Sequence, residues 1–393
     1  MAKRVAIEGS HAASLAVKLA NVDVIAAYPI TPQTHIVERL AEYVANGELD
    51  AEYINVESEH SAMSACIGAA AVGARVFTAT AGQGLALMHE MLYIAAGNRL
   101  PIVMAVANRS LSPNLNIWGD HTDMMGSREC GWVQLFAENA QEIFDLTLTA
   151  FKIAEDEEVL LPVVVNLDGF HLSHVIEAIE ALEPEEVAKF LPPRKIPDYA
   201  LHPKRPTTWG AVGVPEIQTE IKYQLEVALR KSKEVARRVW REYGDLTGRY
   251  YDVVEPYRLG DAEVALIMMG SFCGNARDAV DLLRDKGVKA GLLKIRMFRP
   301  FPKEEIVESL RKVKAVAVVE RAFSPGGVVG PLTADVKSSF YGEPERPSIS
   351  GFAAGIGGRE IAPTEIADAA LKALKVAEEG KLDGGFEYMQ VRW

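Results

Sequence analysis

Cysteine is scarce in this sequence, and its spacing excludes the common cysteine-rich metal motifs. Cys66, Cys130 and Cys273 lie far apart, so the C-x-x-C spacing that binds zinc or iron–sulfur clusters does not occur. Long hydrophobic runs are absent as well, and the N-terminal segment MAKRVAIEGSHAAS lacks the apolar core of a signal peptide. We therefore expect a cytoplasmic protein that does not span a membrane and keeps its thiols reduced.

Basic charge is also in short supply. The chain has 42 Lys and Arg against 54 Asp and Glu, which gives a net charge of −12. Nucleic-acid binding needs a basic face, so we expect no nucleic-acid partner. Walker A, G-x-S-x-G, H-E-x-x-H and G-x-G-x-x-G motifs are all missing. The sequence therefore offers no local signature of a P-loop, hydrolase, zinc-protease or Rossmann site.

What the sequence does contain is an alternation of helical and strand-like segments. Short apolar runs rich in β-branched residues alternate with helical runs, which is typical of βαβ units and a buried parallel sheet. A Pro-rich connection (183–215) and a long charged helix (216–248) follow the first set. The predicted strands are 22–28, 51–56, 74–81, 101–107 and 160–167, then 263–269, 289–295, 315–320 and 348–353. The helices predicted among the first five strands are 11–20, 31–45, 60–74, 85–96 and 140–155.

A chain of 393 residues is expected to contain two or three domains. We predict an α/β protein with two parallel-sheet domains. The predicted divisions are a first domain at 1–249, a linker at 250–261, a second domain at 262–379 and a C-terminal tail at 380–393.

Polar residues follow three of the predicted strands. Thr31 precedes Pro32 after the first strand, Glu59 begins the helix after the second, and Arg109 ends the strand PIVMAVA. Ligands of open α/β sheets bind at the carboxyl ends of strands, so these residues are candidate site residues. The alternatives are helix N-caps for Thr31 and Glu59, and an ion pair of Arg109 with a loop carboxylate.

The loop 109–131 is long and polar, and loops of this length inside a domain are commonly functional. Asp120, His121 and Asp123 in this loop resemble a metal-binding set only weakly, because further ligands at metal-like spacing are missing. We predict no metal ligand in this chain.

Several segments together resemble a known family. They are AAYPITPQT, the run from VESEHSAM to IVMAVANR, NIWGDHTD, KIRMFRPFP and GIGGREIAP. This pattern resembles the α subunit of the multi-subunit 2-oxoacid:ferredoxin oxidoreductases, most closely the pyruvate:ferredoxin oxidoreductases. The likeness is dense over 25–135 and thinner over 255–362. It implies a pyrimidine-type thiamine-diphosphate-binding domain, followed by a domain like the transketolase C-terminal domain.

The resemblance also implies roles for individual residues. Glu59 matches the glutamate that hydrogen-bonds N1′ of the thiamine aminopyrimidine, Thr31 the threonine facing substrate, and Arg109 the arginine that pairs with the substrate carboxylate. The cofactor-binding residues expected beside Glu59 are Pro29 and Gly84. The expected substrate pocket consists of Thr31, Arg109, Trp118, Gly119 and His121.

Partners and cofactors follow from the same resemblance. It implies a β subunit that shares the thiamine diphosphate and carries the Mg²⁺ and a [4Fe–4S] cluster, together with γ and δ subunits. It implies coenzyme A as co-substrate and ferredoxin, or another low-potential acceptor, as the destination of the electrons. The chain has no C-x-x-C and no Gly-Asp-Gly stretch, which agrees with the clusters and the pyrophosphate being bound by partner subunits.

The loop beside the expected pocket departs from the family pattern at Ser110–Asn114, at Gly119 and at Met124–Gly126. Gly119 stands where a larger polar residue is usual, so we expect more room for the acid. Pyruvate is the favoured substrate, and the alternatives are 2-oxoisovalerate and an arylglyoxylate such as phenylglyoxylate. A non-catalytic scaffold is the alternative of a different class, and the presence of Thr31, Glu59 and Arg109 argues against it.

Overall fold

The computed structural model describes residues 3–392, which form two large sheets and one small one. The strands are β1 (Lys3–Glu8), β2 (Val24–Ala27), β3 (Glu52–Asn55), β4 (Val76–Thr80), β5 (Ile102–Asn108), β6 (Val133–Phe136), β7 (Val163–Asp168), β8 (Ile176–Ala181), β9 (Val254–Tyr257), β10 (Val264–Met268), β11 (Ala290–Ile295), β12 (Met297–Arg299), β13 (Ala315–Glu320), β14 (Ser348–Ala353) and β15 (Asp383–Tyr388). The α-helices are α1 (Gly9–Leu19), α2 (Thr34–Ala45), α3 (Glu59–Ala71), α4 (Gly82–Leu87), α5 (His89–Gly97), α6 (Thr122–Gly126), α7 (Ala140–Glu155), α8 (Pro184–Phe190), α9 (Pro215–Thr247), α10 (Cys273–Asp285), α11 (Lys303–Leu310), α12 (Pro331–Phe340) and α13 (Pro363–Glu378).

The first large sheet has seven strands in the order β12-β6-β7-β5-β4-β2-β3. The strands from β6 to β3 run parallel, and β12 pairs antiparallel with β6. Every residue of β4, β5 and β7 is buried, as their continuous apolar sequences predict for the centre of a parallel sheet. The parallel arrangement brings the carboxyl ends of β2, β3, β4 and β5 to the same edge.

The second large sheet has six strands in the order β15-β14-β13-β10-β11-β9. Only β9 runs antiparallel to its neighbour. Two of its strands lie where none were predicted. Strand β9 lies in the expected linker and β15 in the expected C-terminal tail, so these two segments are not purely connecting chain. Both are edge strands, and their sequences are VEPY and DGGFEY. Pro and Gly are uncommon inside strands, so these sequences do not predict a strand.

One hydrophobic cluster contains residues of both large sheets, and a second belongs to the second sheet and its helices. A buried ion network also joins the two sheets. The strand β12 comes from the C-terminal half but pairs with β6 of the first sheet. Lys294 of β11 lies 2.6 Å from carboxylate oxygens of both Glu138 and Glu142, and Arg296 lies 2.8 Å from Glu142. Each of these buried charges has a partner of opposite sign, as burial requires. Among the described residues, no helix is long and apolar enough to cross a membrane.

Two expectations about the helices are wrong. The helix α2 begins at Thr34 rather than Thr31, so Thr31 lies in a loop and is not an N-cap. The buried Gln33 fixes that loop, because its amide donates to the Ala79 carbonyl at 2.7 Å. The segment 85–96, expected as one helix, is divided between α4 and α5 at Met88.

Candidate active site

Two loops and two helix starts meet at the carboxyl edge of the first sheet. Thr31 follows β2, Glu59 follows β3, Gly82–Gly84 follow β4, and Arg109 follows β5. These four strands are neighbours in the sheet, in the order β5-β4-β2-β3, and all run parallel. The predicted site residues Thr31, Glu59 and Arg109 therefore belong to one site, in the position where α/β sheets bind their ligands.

Glu59 is a buried carboxylate that does not cap its own helix. It is the first residue of α3 and only 6% exposed, whereas Ser58 is the N-cap and accepts a hydrogen bond from the Ser61 N–H. None of the hydrogen bonds among residues 3–392 involves the Glu59 carboxylate. The capping alternative therefore fails, and a buried acceptor remains available to a ligand.

Gly84 makes room for the Glu59 carboxylate. A Cβ at position 84 would lie 2.5 Å from Glu59 Oε1 and 2.5 Å from Thr80 Oγ1. Both distances are far below van der Waals contact, so a side chain at 84 would displace the carboxylate. The Thr80 hydroxyl is buried and has no hydrogen-bond partner in the described chain. Glu59 and Thr80 thus present two polar groups, with a glycine between them.

Arg109 is held by the loops that follow β2 and β4. Its Nη1 donates to the Thr31 carbonyl at 2.6 Å, and its Nη2 donates to Gln83 Oε1 at 2.7 Å. Its Nε is buried without a partner among residues 3–392. A Cβ at Gly82 would lie 2.3 Å from that Nε, and the φ of +45° there also favours glycine. The guanidinium forms no ion pair with Asp120 or Asp123, so the salt-bridge alternative is wrong.

Burial lowers the pKa of Arg109, and the charges of Asp123 and Glu59 oppose that shift. Arg109 stays protonated at neutral pH, because the pKa of a guanidinium lies so far above 7. The site therefore contains a fixed positive charge beside a carboxylate that the chain leaves unbonded.

Asp123 holds the backbone of the candidate site. In the sequence it stands out only as part of a weak resemblance to a metal-binding set. Its Oδ2 accepts from the backbone N–H of Gly82 at 3.0 Å and of Arg109 at 2.9 Å, while Asn108 Nδ2 donates to its Oδ1 at 2.9 Å. Burial nevertheless raises the pKa of Asp123 to about 6. Asp123 thus ties the loop after β4 to the loop after β5.

The remaining pocket residues lie further from these three. His121 is buried, and its Nε2 lies 2.6 Å from Asp168 Oδ1. The other carboxylate oxygen, Asp168 Oδ2, forms an ion pair with Arg321, which directly follows β13 of the second sheet. Trp118 is half exposed and lies over Gly358, where a Cβ would come within 2.2 Å of the Trp118 Cβ. His121 therefore joins the two halves of the chain and does not line the cleft beside Arg109.

The expectation that Gly119 enlarges the pocket is wrong. A Cβ at position 119 would lie 2.6 Å from the Gly169 carbonyl oxygen, and the Gly119 carbonyl itself accepts from Arg321 Nη2. The glycine is thus required by close backbone packing. Pro29, by contrast, is exposed in the loop that contains Thr31, so a ligand can reach it.

Comparison with protein families agrees with this geometry. Residues 15–241 match the family model described as pyruvate flavodoxin/ferredoxin oxidoreductase, thiamine diphosphate-binding. Residues 262–366 match the model of pyruvate:ferredoxin oxidoreductase core domain II. The chain belongs to this oxidoreductase family. The 2-oxoacid oxidoreductase α-subunit resemblance and the α/β fold predicted from the sequence are thereby confirmed.

Curated members of the oxidoreductase family match nearly the whole chain. Pyruvate synthase subunit PorA of Methanocaldococcus jannaschii is 52% identical over 357 residues, covering 90% of this chain and 91% of that protein. The PorA of Pyrococcus furiosus is 44% identical, covering 99% and 98%. Ketoisovalerate oxidoreductase subunit VorA of Pyrococcus abyssi is 46% identical, covering 98% and 97%.

Two solved structures share the fold. A 2-oxoglutarate:ferredoxin oxidoreductase from Magnetococcus marinus superposes with a TM-score of 0.72 at 19% identity, covering 94% of this chain and 65% of its own. A split-gene transketolase superposes with a TM-score of 0.57 at 14% identity, covering 95% and 100%. The oxidoreductase-family fold is therefore related to that of transketolase.

The residues at the edge of the first sheet fit the thiamine diphosphate that the family model names. An aminopyrimidine ring needs a buried carboxylate opposite one ring nitrogen and space for the ring to approach. The unbonded Glu59 carboxylate supplies the first, and Gly84, which has no side chain, supplies the second. The orphaned Thr80 hydroxyl adds one more polar group at the same place.

Proposed function

We propose that this chain is the α subunit of a complex that oxidatively decarboxylates a 2-oxoacid with coenzyme A. Pyruvate is the favoured acid, acetyl-CoA and CO₂ are the products, and ferredoxin or another low-potential carrier accepts the electrons. The observation that carries the proposal is the buried, unbonded Glu59 carboxylate beside Gly84 and Thr80. The curated relatives named as pyruvate synthase subunits support the choice of acid.

Glu59 acts on the cofactor in this proposal. Bound thiamine diphosphate supplies an electron sink for decarboxylation of the 2-oxoacid. With thiamine diphosphate bound, the Glu59 carboxylate would accept a hydrogen bond from the N1′ side of the aminopyrimidine and so hold a proton at that nitrogen. Because Glu59 is buried, the hydrogen bond forms away from competing water and is stronger than an exposed one.

Arg109 and Thr31 act on the substrate. The Arg109 guanidinium is fixed by the Thr31 carbonyl and by Gln83, so its charge is already oriented before substrate binds. Its partnerless Nε provides a further donor. A 2-oxoacid carries a carboxylate, and a guanidinium fork binds that group with two parallel hydrogen bonds. Thr31 is exposed next to that fork, and in this proposal its side chain contacts the 2-oxoacid.

The iron–sulfur clusters and Mg²⁺ belong to partner subunits in this proposal, and the β subunit shares the cofactor. Cluster ligands are thiolates, and burial raises the pKa of Cys66 and of Cys130 to about 12, and that of Cys273 well above its ordinary value. These thiols are therefore poor cluster ligands. The relatives are themselves named as subunits, which supports a heteromeric assembly with β, γ and δ chains.

A Glu59→Ala variant of the assembled complex tests the role of this chain. We expect the variant to assemble with its partners but to lose turnover with every 2-oxoacid. Glu57→Ala is the matched control, because Glu57 is an exposed carboxylate two residues upstream whose partner is the Ser61 hydroxyl. Normal turnover by Glu59→Ala would contradict the proposal.

A second candidate substrate is 2-oxoisovalerate, because a ketoisovalerate oxidoreductase subunit matches this chain as well as several pyruvate synthase subunits do. A panel of pyruvate, 2-oxoisovalerate and phenylglyoxylate, compared by kcat/KM on the purified complex, separates these acids. A preference for pyruvate supports the first choice. Activity confined to a branched or aryl acid would replace pyruvate as the substrate and leave the reaction class unchanged.

A further inference from the structure

A cluster of metal-ligating side chains lies where three segments of the chain meet. Glu8 ends β1, His11 lies in the first turn of α1, and His35 lies in the first turn of α2. Within residues 3–392, these three make the one group of His, Cys, Asp and Glu side chains whose ligand atoms all lie within 4.8 Å of one another. The cluster plays no part in the function proposed above.

The rings and the carboxylate face each other closely. Glu8 Oε1 lies 2.6 Å from His35 Nδ1, and the ring centroids of His11 and His35 are 6.1 Å apart. The ring of His174 lies on the other side, with its centroid 4.4 Å from that of His35. The side chains of Glu8 and His35 are 16% and 41% exposed, so a hydrated ion can reach the cluster from solvent.

We propose that Glu8, His11 and His35 bind a divalent transition-metal ion of the Zn²⁺ type, with a water molecule as the fourth ligand. Imidazole nitrogens and a carboxylate oxygen form a ligand set that zinc accepts in four-coordinate geometry. Ligand atoms about 2.0–2.2 Å from a tetrahedral metal are about 3.4 Å apart. The ligand atoms of the three groups lie within 4.8 Å of one another, so binding would require side-chain adjustments of about 1 Å to reach that separation.

The chemistry of the three side chains suits a divalent cation. Zinc binds the nitrogen atoms of neutral imidazole rings and the oxygen atoms of carboxylates. Glu8 contributes the negative charge that partly balances a divalent cation.

The His174 ring packs against His35 and is itself held in place. Its Nδ1 lies 2.7 Å from Ser173 Oγ, and that oxygen also accepts a hydrogen bond from the Phe170 N–H at 2.8 Å. The centroid of the His174 ring lies 4.4 Å from that of His35 and 4.5 Å from that of Phe170. These contacts restrict the motion of the His35 ring before a metal binds.

Bound metal would connect three parts of the first domain. It would join the end of β1, the first turn of α1 and the first turn of α2. His35 lies four residues after Thr31, and Gly169 lies against Pro32, where a Cβ would come within 2.7 Å of Pro32 Cγ. The metal would therefore stabilise the segment that holds the Thr31 loop without touching the candidate active site.

Zinc binding to the purified complex tests the inference. After equilibrium dialysis over a series of free Zn²⁺ concentrations, zinc per α subunit is measured by mass spectrometry for the wild type, His35→Ala, Glu8→Gln and His202→Ala. His202 is an exposed histidine in the Pro-rich connection and serves as the matched control. We expect one more zinc per α subunit in the wild type and His202→Ala than in His35→Ala, and an affinity at least tenfold weaker in Glu8→Gln.

Two further measurements make the result decisive. Zn²⁺ should raise the thermal unfolding midpoint of the wild type but not that of His35→Ala, since a ligand stabilises only the state that binds it. X-ray absorption should report histidine nitrogen and oxygen ligands at about 2.0–2.2 Å for the zinc that His35→Ala lacks. Equal zinc content in all four proteins would overturn the proposal, as would no binding by the wild type. If His35→Ala fails to fold, Glu8→Gln decides the question, because wild-type affinity in that variant would also overturn it.

Discussion

Replacement of Gly84 by alanine separates the stability of this chain from the binding of its cofactor. Gly84 lies inside α4 and has no left-handed φ, so alanine suits the backbone. The new Cβ would lie 2.5 Å from both Glu59 Oε1 and Thr80 Oγ1. Ordinary van der Waals contact begins at 3.4 Å, so the carboxylate has to move by about 1 Å.

The two consequences of Gly84→Ala have different sizes. Alanine gains about 1 kcal/mol in helix propensity and overpacking costs about 1–3 kcal/mol, so the free energy of unfolding falls by no more than about 2 kcal/mol. The displaced carboxylate loses a hydrogen bond to the cofactor, and a bond of this charged kind contributes about 1.5–3 kcal/mol. That loss corresponds to about 10- to 150-fold in affinity for thiamine diphosphate.

The assay is a thiamine diphosphate titration of the cofactor-depleted complex, with urea unfolding measured in parallel. Gly68→Ala is the control, because Gly68 also lies in a helix but a Cβ there meets nothing within 4 Å. We expect Gly68→Ala to keep wild-type affinity. Wild-type affinity and turnover in Gly84→Ala would refute the placement of the cofactor ring beside Glu59.

Three other changes test separate parts of the structure. In Arg109→Lys, the lysine cannot reach both the Thr31 carbonyl and Gln83. The KM for the 2-oxoacid should therefore rise at least tenfold, while the affinity for thiamine diphosphate stays unchanged. An unchanged KM would count against the role of Arg109. Asp168→Asn leaves the buried Arg321 without its countercharge and should lower the free energy of unfolding by about 3–5 kcal/mol in urea titrations; a loss below about 1 kcal/mol would contradict this. Burial raises the pKa of Glu320 to about 7, so the folded state binds this proton more tightly than the unfolded state, and stability falls as pH rises from about 4.5 to 7. Glutamine does not titrate, so Glu320→Gln lacks this loss of stability. The destabilisation of the variant relative to the wild type should therefore be up to about 3 kcal/mol smaller at pH 8 than at pH 5. Equal destabilisation at both pH values would contradict a raised pKa at Glu320.

Local sequence determines most of the regular structure. The strands β13 and β14 have the predicted bounds, because each is a continuous apolar or β-branched run between polar turns. The long helix α9 also lies where its charge pattern predicts it. Strands β9, β12 and β15 escape prediction because pairing with a distant strand determines them. Their own residues carry no periodicity that distinguishes them from loops.

The candidate site was predictable in position but not in its supporting contacts. Thr31, Glu59 and Arg109 follow strands, and parallel strands bring such residues to one edge. The capping alternative for Glu59 is wrong because Ser58, one residue earlier, caps α3. The sequence pattern does not locate the start of a helix to a single residue. Gln33 and Asp123 act through contacts across 46 and 41 residues of sequence, so no local motif marks them.

A structure of the assembled complex with bound thiamine diphosphate tests the central claim most directly, through the distance from the Glu59 carboxylate to N1′ of the aminopyrimidine. We predict a hydrogen bond of about 2.7 Å, with the ring over Gly84 and the Arg109 guanidinium facing the space for the 2-oxoacid. An aminopyrimidine bound elsewhere, or one whose N1′ is bonded by another side chain while Glu59 stays unbonded, would contradict the proposal.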